Sequence, residues 1–315
     1  MNSPLVSVLI PAFNSERFIA KCVESVLGQN YGRVEIIVVD DGSTDGTREV
    51  LEHYKELKVI SQTNQGACVA RNKALCAADG DYIKFLDADD FLLAEAIALQ
   101  VDAMKKLDAN SIVYGDYIIH REGDVKAINN VVIQQEREQL PQLIMANILT
   151  STPMHRKGLL KKVGGFDARF KSGQEWNLHV RLAAKGARFA YQPVKIYTHR
   201  VHFSADRISI KRKNSPSRLE GEVEKILMTL ESVGAVSETS LAAFSACLWE
   251  IGRAALREGK QDLARSCFEL AKTVSHKEMK HFWPTFYRIN HALFGVRAAE
   301  KISQLTMHFK KSLFY

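Results

Sequence analysis

The sequence predicts an α/β fold built on a largely parallel sheet, followed by an all-helical C-terminal region. Three observations carry this. Over the first third of the chain, short β-branched apolar runs alternate with helical patterns, as strand–helix–strand units do. Two of those runs end abruptly in acidic turns, Asp40-Asp41-Gly42-Ser43 and Asp87-Ala88-Asp89-Asp90. From residue 219 onward the apolar spacing turns helical.

Taken in order, Val6-Ser7-Val8-Leu9-Ile10 is a β-branched run that stops at Pro11 and reads as a buried strand. Ser15-Glu16 opens a helix whose apolar face is Phe18, Ile19, Cys22, Val23, Val26 and Leu27, at helical spacing. Residues 34–39 form a second strand, which ends in the turn-rich Asp40-Asp41-Gly42-Ser43-Thr44-Asp45-Gly46. A helix through Val50, Leu51 and Tyr54 follows, then a third short strand at 58–60. Residues 66–78 read as an alanine-rich helix, and 82–86 as a strand running into Asp87. In such sheets ligands bind beyond the carboxyl ends of the strands, where both acidic turns lie.

Residues 115–200 are mixed and less regular. Residues 241–272 read as a helical hairpin turning at Gly259-Lys260, followed by Trp283-Pro284 and a last amphipathic helix. The polar stretch Lys211-Arg212-Lys213-Asn214-Ser215-Pro216-Ser217 is the best linker. The expected division is a ligand-binding domain over 1–210, a basic linker over 211–218 and a helical region over 219–315.

The chain has 315 residues, with 43 Lys+Arg against 36 Asp+Glu and a formal net charge of +7. Hydrophobic residues make up 46% and charged residues 25%, which excludes disordered, collagen-like and disulfide-scaffold classes. The five cysteines, Cys22, Cys68, Cys76, Cys247 and Cys267, include no C-x-x-C pair. A reduced compartment is therefore expected, with neither a zinc site nor a disulfide framework. Met1-Asn2-Ser3-Pro4 lacks a basic n-region and no run of ~18 apolar residues occurs, so a cytoplasmic protein without signal peptide or spanning helix is expected. Basic residues gather at Arg207, Lys211, Arg212, Lys213 and Arg218, and again over the last 35 residues. Charge of this kind meets phosphates, nucleic acid or an anionic membrane, and composition does not choose among them.

Asp87-Ala88-Asp89 is the sharpest chemical signal. On an extended segment its two carboxylates would face opposite sides, and a turn directly after the strand converges them. Hard divalent ions take one or two carboxylates plus substrate phosphate oxygens. Around it stand, in order, Val6-Ser7-Val8-Leu9-Ile10-Pro11-Ala12-Phe13-Asn14, Val38-Val39-Asp40-Asp41-Gly42-Ser43-Thr44-Asp45-Gly46-Thr47, Asn64-Gln65-Gly66 with Ala70-Arg71-Asn72, and Phe85-Leu86-Asp87-Ala88-Asp89-Asp90. Gly164-Gly165-Phe166-Asp167, Gln174-Glu175-Trp176 with Leu182, and the stretch from Tyr197 to Ser204 follow. This series closely resembles family 2 glycosyltransferases, over residues ~5–205, about two thirds of the chain.

The resemblance implies a GT-A nucleotide-sugar-binding fold with a mixed, mainly parallel sheet, and metal-dependent, inverting sugar transfer from a nucleotide-diphosphate sugar to a hydroxyl. It assigns Asp41, with Asp40 beside it, to the nucleoside, and Pro11, Ala12 and Asn14 to the border of the same pocket. Arg71 falls near the phosphates or the base, where its fork of donors suits an anion. Asp87 and Asp89 fall to a divalent metal, Mg²⁺ or Mn²⁺, and to the diphosphate sugar. His202 is the implied distal metal contact, with His199 as its neighbouring competitor. Glu175 is the implied general base; the family's usual pair is Glu-Asp, and here Gln174-Glu175 stands in its place. Glu keeps the carboxylate and extends it by one methylene, and a base must lie within hydrogen-bond reach of its proton. Gly164-Gly165 is expected to shape a turn near acceptor and sugar.

No G-x-G-x-x-G follows the first strand and no G-x-x-x-x-G-K-[ST] occurs, so dinucleotide and P-loop chemistry are not expected. Nucleic-acid binding has no motif behind it. Ala298, Ile302, Leu305, Phe309 and Leu313 form one face of the last helix, with basic residues between them. Residues 292–315 are thus a candidate peripheral contact with the inner face of a cell membrane, or a docking helix for protein. A saccharide or lipid-linked acceptor in bacterial surface polysaccharide or glycoconjugate synthesis is the implied partner, and a homo-oligomer stays open. The Gln-Glu departure keeps a non-catalytic nucleotide-sugar-binding or scaffold protein as an alternative, and a nucleotidyltransferase is a third reading.

Overall fold

The computed structural model describes residues 3–121, 124–202, 215–275, 295–296 and 299. The chain divides into two compact units, Met1–Arg212 and Lys213–Tyr315. In the first unit the elements run β1 (Val6–Ala12), α1 (Ile19–Leu27), β2 (Val34–Asp40), α2 (Thr47–Glu52), β3 (Leu57–Ser61), α3 (Ala67–Ala77) and β4 (Tyr82–Phe85). Then come β5 (Phe91–Leu92), α4 (Ala96–Lys105), β6 (Ser111–Arg121), β7 (Asp124–Ile128), α5 (Gln139–Met145) and β8 (Met154–Arg156). α6 (Lys157–Lys162), α7 (Gln174–Ala184) and β9 (Arg188–Val201) complete it.

Among the described residues nine strands form one sheet in the order β3-β2-β1-β4-β8-β6-β9-β5, with β7 paired to β6. β1 lies parallel to β2 and β4, and β2 parallel to β3. β8 runs antiparallel to β4 and β6, while β6 and β9 are parallel again. The sheet is therefore parallel over β1–β4, as the alternation of runs predicts, and mixed beyond β4, as the resemblance implies.

The central strands β1, β2 and β4 are buried on both faces, so each residue's parity decides its layer. Val6, Val8 and Ile10 pack with Ile19, Cys22, Val23 and Val26 of α1 and with Ile97, Val101 and Met104 of α4. Leu9, Ile37 and Val39 face the other way, against Ala70, Ala74 and Leu75 of α3 and Leu178 and Leu182 of α7. Each such Val, Leu or Ile side chain contributes about 1.5–3 kcal/mol when fully buried.

Two boundaries differ from the sequence reading. β1 runs through Pro11 to Ala12 instead of stopping. Leu9 O accepts Leu86 N at 3.0 Å, and β4 has ended at Phe85, so the odd-numbered edge of β1 has no partner strand beyond it. Proline, which has no N–H to offer, fits there. Ser15 and Glu16 precede the helix, which starts at Ile19. They tie two loops together: Ser15 N donates to Thr47 Oγ1 at 2.7 Å, and Glu16 Oε2 accepts Gly46 N at 3.1 Å.

Part of the irregular pattern of 115–200 has a local cause in β9. β9 contains Pro193, and its pairing with β6 skips between Gly115↔Gln192 and Asp116↔Lys195. The bulge breaks the alternation that marks a strand in sequence.

The second unit contains α8 (Arg218–Val233), α9 (Glu238–Arg257) and α10 (Gln261–Val274). Ser237 caps α9 by accepting Ser240 N at 3.1 Å. Gly259, at φ +76°, makes the turn into α10. Gly252 lets the hairpin close, since a Cβ there would meet Phe268 Cε1 at 2.7 Å. Arg218, placed by sequence at the end of the linker, opens α8. Ser204, the basic residues Arg207, Lys211, Arg212 and Lys213, Trp283-Pro284 and nearly all of 292–315 lie outside the described residues. Among the described residues no helix is long and apolar enough to cross a membrane.

Candidate active site

The site is built from loops leaving the carboxyl ends of β1, β2 and β4. Register places Ala12 beside Asp40, so the first two loops emerge together. Asn14 locks them: its Oδ1 accepts Thr44 N at 2.8 Å and its own N donates to Ser43 Oγ at 3.0 Å. It does so at φ +47°, a left-handed conformation that asparagine tolerates. Ala12 is buried beneath, Pro11 is half-buried, and Phe13 stands 47% exposed on the rim.

Asp40 and Asp41 serve different ends. Asp40 Oδ1 accepts Ser43 N at 2.9 Å and Oδ2 accepts Arg48 Nη2 at 3.1 Å. Burial opposes its ionisation, but the Ser43 bonds and the Arg48 guanidinium outweigh that and hold its carboxyl below the usual range. Asp41 is 3% exposed and accepts Gln62 Nε2 at 2.7 Å, Gln65 N at 2.9 Å and Gly66 N at 2.8 Å. Three of its roughly four lone-pair directions therefore hold the 62–66 loop against β2. Gly42 sits between, at φ +77°, where a Cβ would strike Asn64 N at 2.8 Å.

Arg71 rises from α3 and is 6% exposed. Its Nη2 donates to Asp87 Oδ1 at 2.6 Å and its Nη1 to Gln174 Oε1 at 2.7 Å. The Phe166 ring lies 5.1 Å from its guanidinium carbon. Burial disfavours its charge, but Asp87 more than offsets this and the guanidinium stays charged. The Gly164-Gly165 turn places that ring. Both glycines have positive φ, Phe166 N donates to Asn72 Oδ1 at 2.8 Å, and Arg181 Nη2 donates to Gly165 O at 2.7 Å.

The Asp87–Asp90 segment turns directly after β4, with Asp90 N donating to Asp87 O at 3.0 Å. Asp89 Oδ2 lies 3.1 Å from His202 Nε2, and the Phe18 ring packs on that imidazole at 4.5 Å. His199 is directed elsewhere: its Nδ1 lies 3.1 Å from Asp90 Oδ1, which also accepts Arg200 N at 3.0 Å. Burial pushes the Asp90 carboxyl up to about 7 even though His199 lowers it.

Glu175 lies in the first turn of α7, after Gly173 at φ +64°. Its Oε1 accepts Asn147 Nδ2 at 3.0 Å. A carboxylate is favoured at a helix start, yet no side chain caps this helix.

Among the described residues no three His, Cys, Asp or Glu side chains converge as a closed metal cage. The Asp89 carboxylate and His202 imidazole do form a converging pair of donors, half-exposed and beside the Asp87 turn. One carboxylate and one imidazole fit Mn²⁺ or Mg²⁺ when phosphate oxygens and water complete the shell.

Sequence reasoning picked out Asn14, Asp40, Asp41, Arg71, Asp87, Asp89, Glu175 and His202, and missed Gln62, Asn147, Ser151 and Gln174 as their partners. Ser151 Oγ accepts Asp87 N at 3.2 Å and lies 3.3 Å from Asp90 Oδ2. Each is a lone polar residue in an irregular stretch or beside a stronger motif, so only its position in space marks it.

The profile described as Glycosyl transferase family 2 matches residues 7–164. A Bacillus subtilis (strain 168) protein described as a teichuronic acid biosynthesis glycosyltransferase, TuaG, is 36% identical over 190 residues, covering 52% of this chain and 75% of that one. Escherichia coli chondroitin synthase is 33% identical over 188 residues, covering 58% of this chain and 27% of its own length. Among solved structures, S. aureus TarS 1-349 in complex with UDP superposes with a TM-score of 0.54 at 21% identity, over 88% of this chain and 92% of that one. The mannosyltransferase PcManGT from Pyrobaculum calidifontis, in complex with GDP-Man and Mn²⁺, gives 0.52 at 18%, over 90% and 88%. These two likenesses establish a shared GT-A-type fold. The profile match spans half of the chain and TuaG is matched over three quarters of its length, so this chain belongs to glycosyl transferase family 2.

Proposed function

We propose that this glycosyltransferase moves a sugar from a nucleotide-diphosphate sugar to a hydroxyl of a saccharide or lipid-linked acceptor, by single displacement with inversion. The supporting observation is Arg71. Its two terminal nitrogens join Asp87, at the end of β4, to Gln174, beside Glu175 on α7. That bridge sets the carboxylate turn and the candidate base at one place, as transfer between a diphosphate leaving group and an acceptor requires.

In this reading the nucleoside lies in the pocket bordered by Pro11, Ala12, Asn14, Asp40 and Asp41, with Phe13 at its rim. Arg71 and Asp87 orient the diphosphate end. Glu175 takes the proton of the acceptor hydroxyl, whose oxygen bonds to the anomeric carbon as the bond from that carbon to the phosphate oxygen breaks. The nucleotide diphosphate leaves with the electron pair. Asp89 and His202, with Asp87, would hold a divalent ion, which supplies charge stabilisation to that leaving group. The names of relatives such as TuaG and the Escherichia coli glucosyltransferase WfgD, which acts on a diphosphoundecaprenol-linked sugar, support a role in bacterial surface polysaccharide or glycoconjugate synthesis. Residues 292–315 are the proposed peripheral contact.

Purified protein with Mn²⁺, tested against UDP-glucose, UDP-N-acetylglucosamine and GDP-mannose, should release nucleotide diphosphate. Asp89→Ala and Glu175→Gln should each lower turnover by at least about 100-fold. Wild-type turnover in Asp89→Ala would remove the metal assignment. Binding of a donor without turnover on any acceptor would make this a binding protein, and release of pyrophosphate from a nucleoside triphosphate would make it a nucleotidyltransferase. Flotation with anionic liposomes, with and without residues 292–315, tests the membrane contact.

A further inference from the structure

Lys84 lies on β4 with no exposed surface, and burial holds its ammonium well below the usual lysine range. No carboxylate faces it among the described residues. Its nitrogen instead donates to Gln100 Oε1 at 2.9 Å, Thr152 O at 3.1 Å and Pro153 O at 3.5 Å. Gln100 Nε2 turns back onto the same Thr152 carbonyl at 2.8 Å. A buried lysine spent wholly on backbone carbonyls and one amide is an expensive way to fill a core. What it achieves is local: it fixes the segment that enters β8.

That segment reaches both halves of the site. Thr152 N donates to Leu149 O at 3.1 Å, so 149–152 is a closed turn. Ser151 in that turn contacts Asp87 and Asp90. Ile148 is buried in the core beside α7, and Trp176 Nε1 donates to Ile144 O at 3.0 Å, tying α7 to the end of α5. Asn147, at the exposed start of the segment, donates Nδ2 to Glu175 Oε1 at 3.0 Å. Among the described residues that carboxylate has no other hydrogen-bond partner.

We propose that Asn147 is the positioning residue for Glu175, and that buried Lys84 acts through 147–152 to hold it there. This rests on the reading of Glu175 as the base. The added methylene of Glu over Asp makes the carboxylate longer and freer, and an amide fixed at 3.0 Å removes that freedom. One oxygen is held by Asn147 while the other receives the acceptor proton. The segment thereby spaces the base from the carboxylate turn that faces the leaving group. Arg71 is the charged neighbour of Glu175 and Cys68 the nearby thiol, so the amide supplies orientation without adding charge.

The test uses the full chain with whichever of UDP-glucose, UDP-N-acetylglucosamine or GDP-mannose it turns over. Asn147→Ala should lower kcat at least about 10-fold with the donor KM within about 2-fold. Asn147→Asp sets a like charge against Glu175 and should move the acid limb of the pH–kcat profile up by about one pH unit or more. Glu175→Asp, although it restores the commoner residue, should lose activity because the shorter side chain leaves Asn147. Lys84→Met should lower kcat in the same pattern as Asn147→Ala. If Lys84→Met does not fold, the Asn147 variants decide. Independently of turnover, the side-chain amide resonance of Asn147, identified by its loss in Asn147→Ala, should shift in Glu175→Ala, where its hydrogen-bond acceptor is gone. Normal kcat and pH profile in both Asn147 variants, or an amide that does not respond, overturns the proposal. Full activity in Glu175→Gln overturns the base assignment instead.

Discussion

His202 Nε2 meets Asp89 Oδ2 at 3.1 Å, while His199, three residues earlier, is turned to Asp90. Two histidines, one in β9 and one just past its end, are thus divided between two carboxylates of one turn. The two imidazoles are about equally exposed, and the carboxylates differ: Asp89 is 25% exposed and Asp90 1%. His202→Ala should weaken Mn²⁺ binding in the presence of UDP by about 10-fold or more, read by titration calorimetry. His199→Ala should leave that binding nearly unchanged. It should instead lower unfolding free energy by about 1–3 kcal/mol, because it strips a partner from a buried carboxyl.

Arg71 bridges Asp87 and Gln174 with a planar fork, a geometry that lysine cannot reproduce. Arg71→Lys keeps the charge and loses one of the two bonds. Stability measured by urea denaturation should fall by about 1–3 kcal/mol, and turnover should fall with it.

His155 and His179 stack in the interior, 5.7 Å apart, and both are buried. Burial pushes His155 well below the usual histidine range and His179 down to about 3. Both are neutral in the folded protein when the unfolded chain has already taken up protons. Stability should therefore be complete above about pH 6.5 and fall as pH drops below it, by up to about 1.4 kcal/mol per pH unit for each histidine. Urea unfolding at pH 7.5 and pH 5.0 measures the slope, and His179→Phe should flatten it.

Gly165 has φ +70°, and a Cβ there would stand 2.4 Å from Asn72 Oδ1. Gly165→Ala should lower stability by about 1–3 kcal/mol, through strain and loss of the Asn72 bonds to Phe166. A drop in Tm checks this. An unchanged Tm would show that the turn tolerates another conformation.

The alternation of strands and helices, the helical hairpin and the acidic strand ends were legible because each depends on neighbours a few residues apart. Periodicity places Val8 and Ile10 on one layer and Leu9 on the other, and a turn after an apolar strand must present its acids at the sheet end. The bulged pairing of β9 with β6 was not legible, since Pro193 and the skip at Gly115 erase the alternation. Nor were the partners across the site. Asp89 and His202 are 113 residues apart, Arg71 and Gln174 are 103 apart, and Asn147 and Glu175 are 28 apart. Sequence by itself determined which chemical groups the chain carries and that they leave the sheet at one end. Tertiary structure decided which of them meet, because β8, β6 and β9 enter the sheet out of chain order, and hydrogen bonds of about 3 Å depend on that order and not on local pattern.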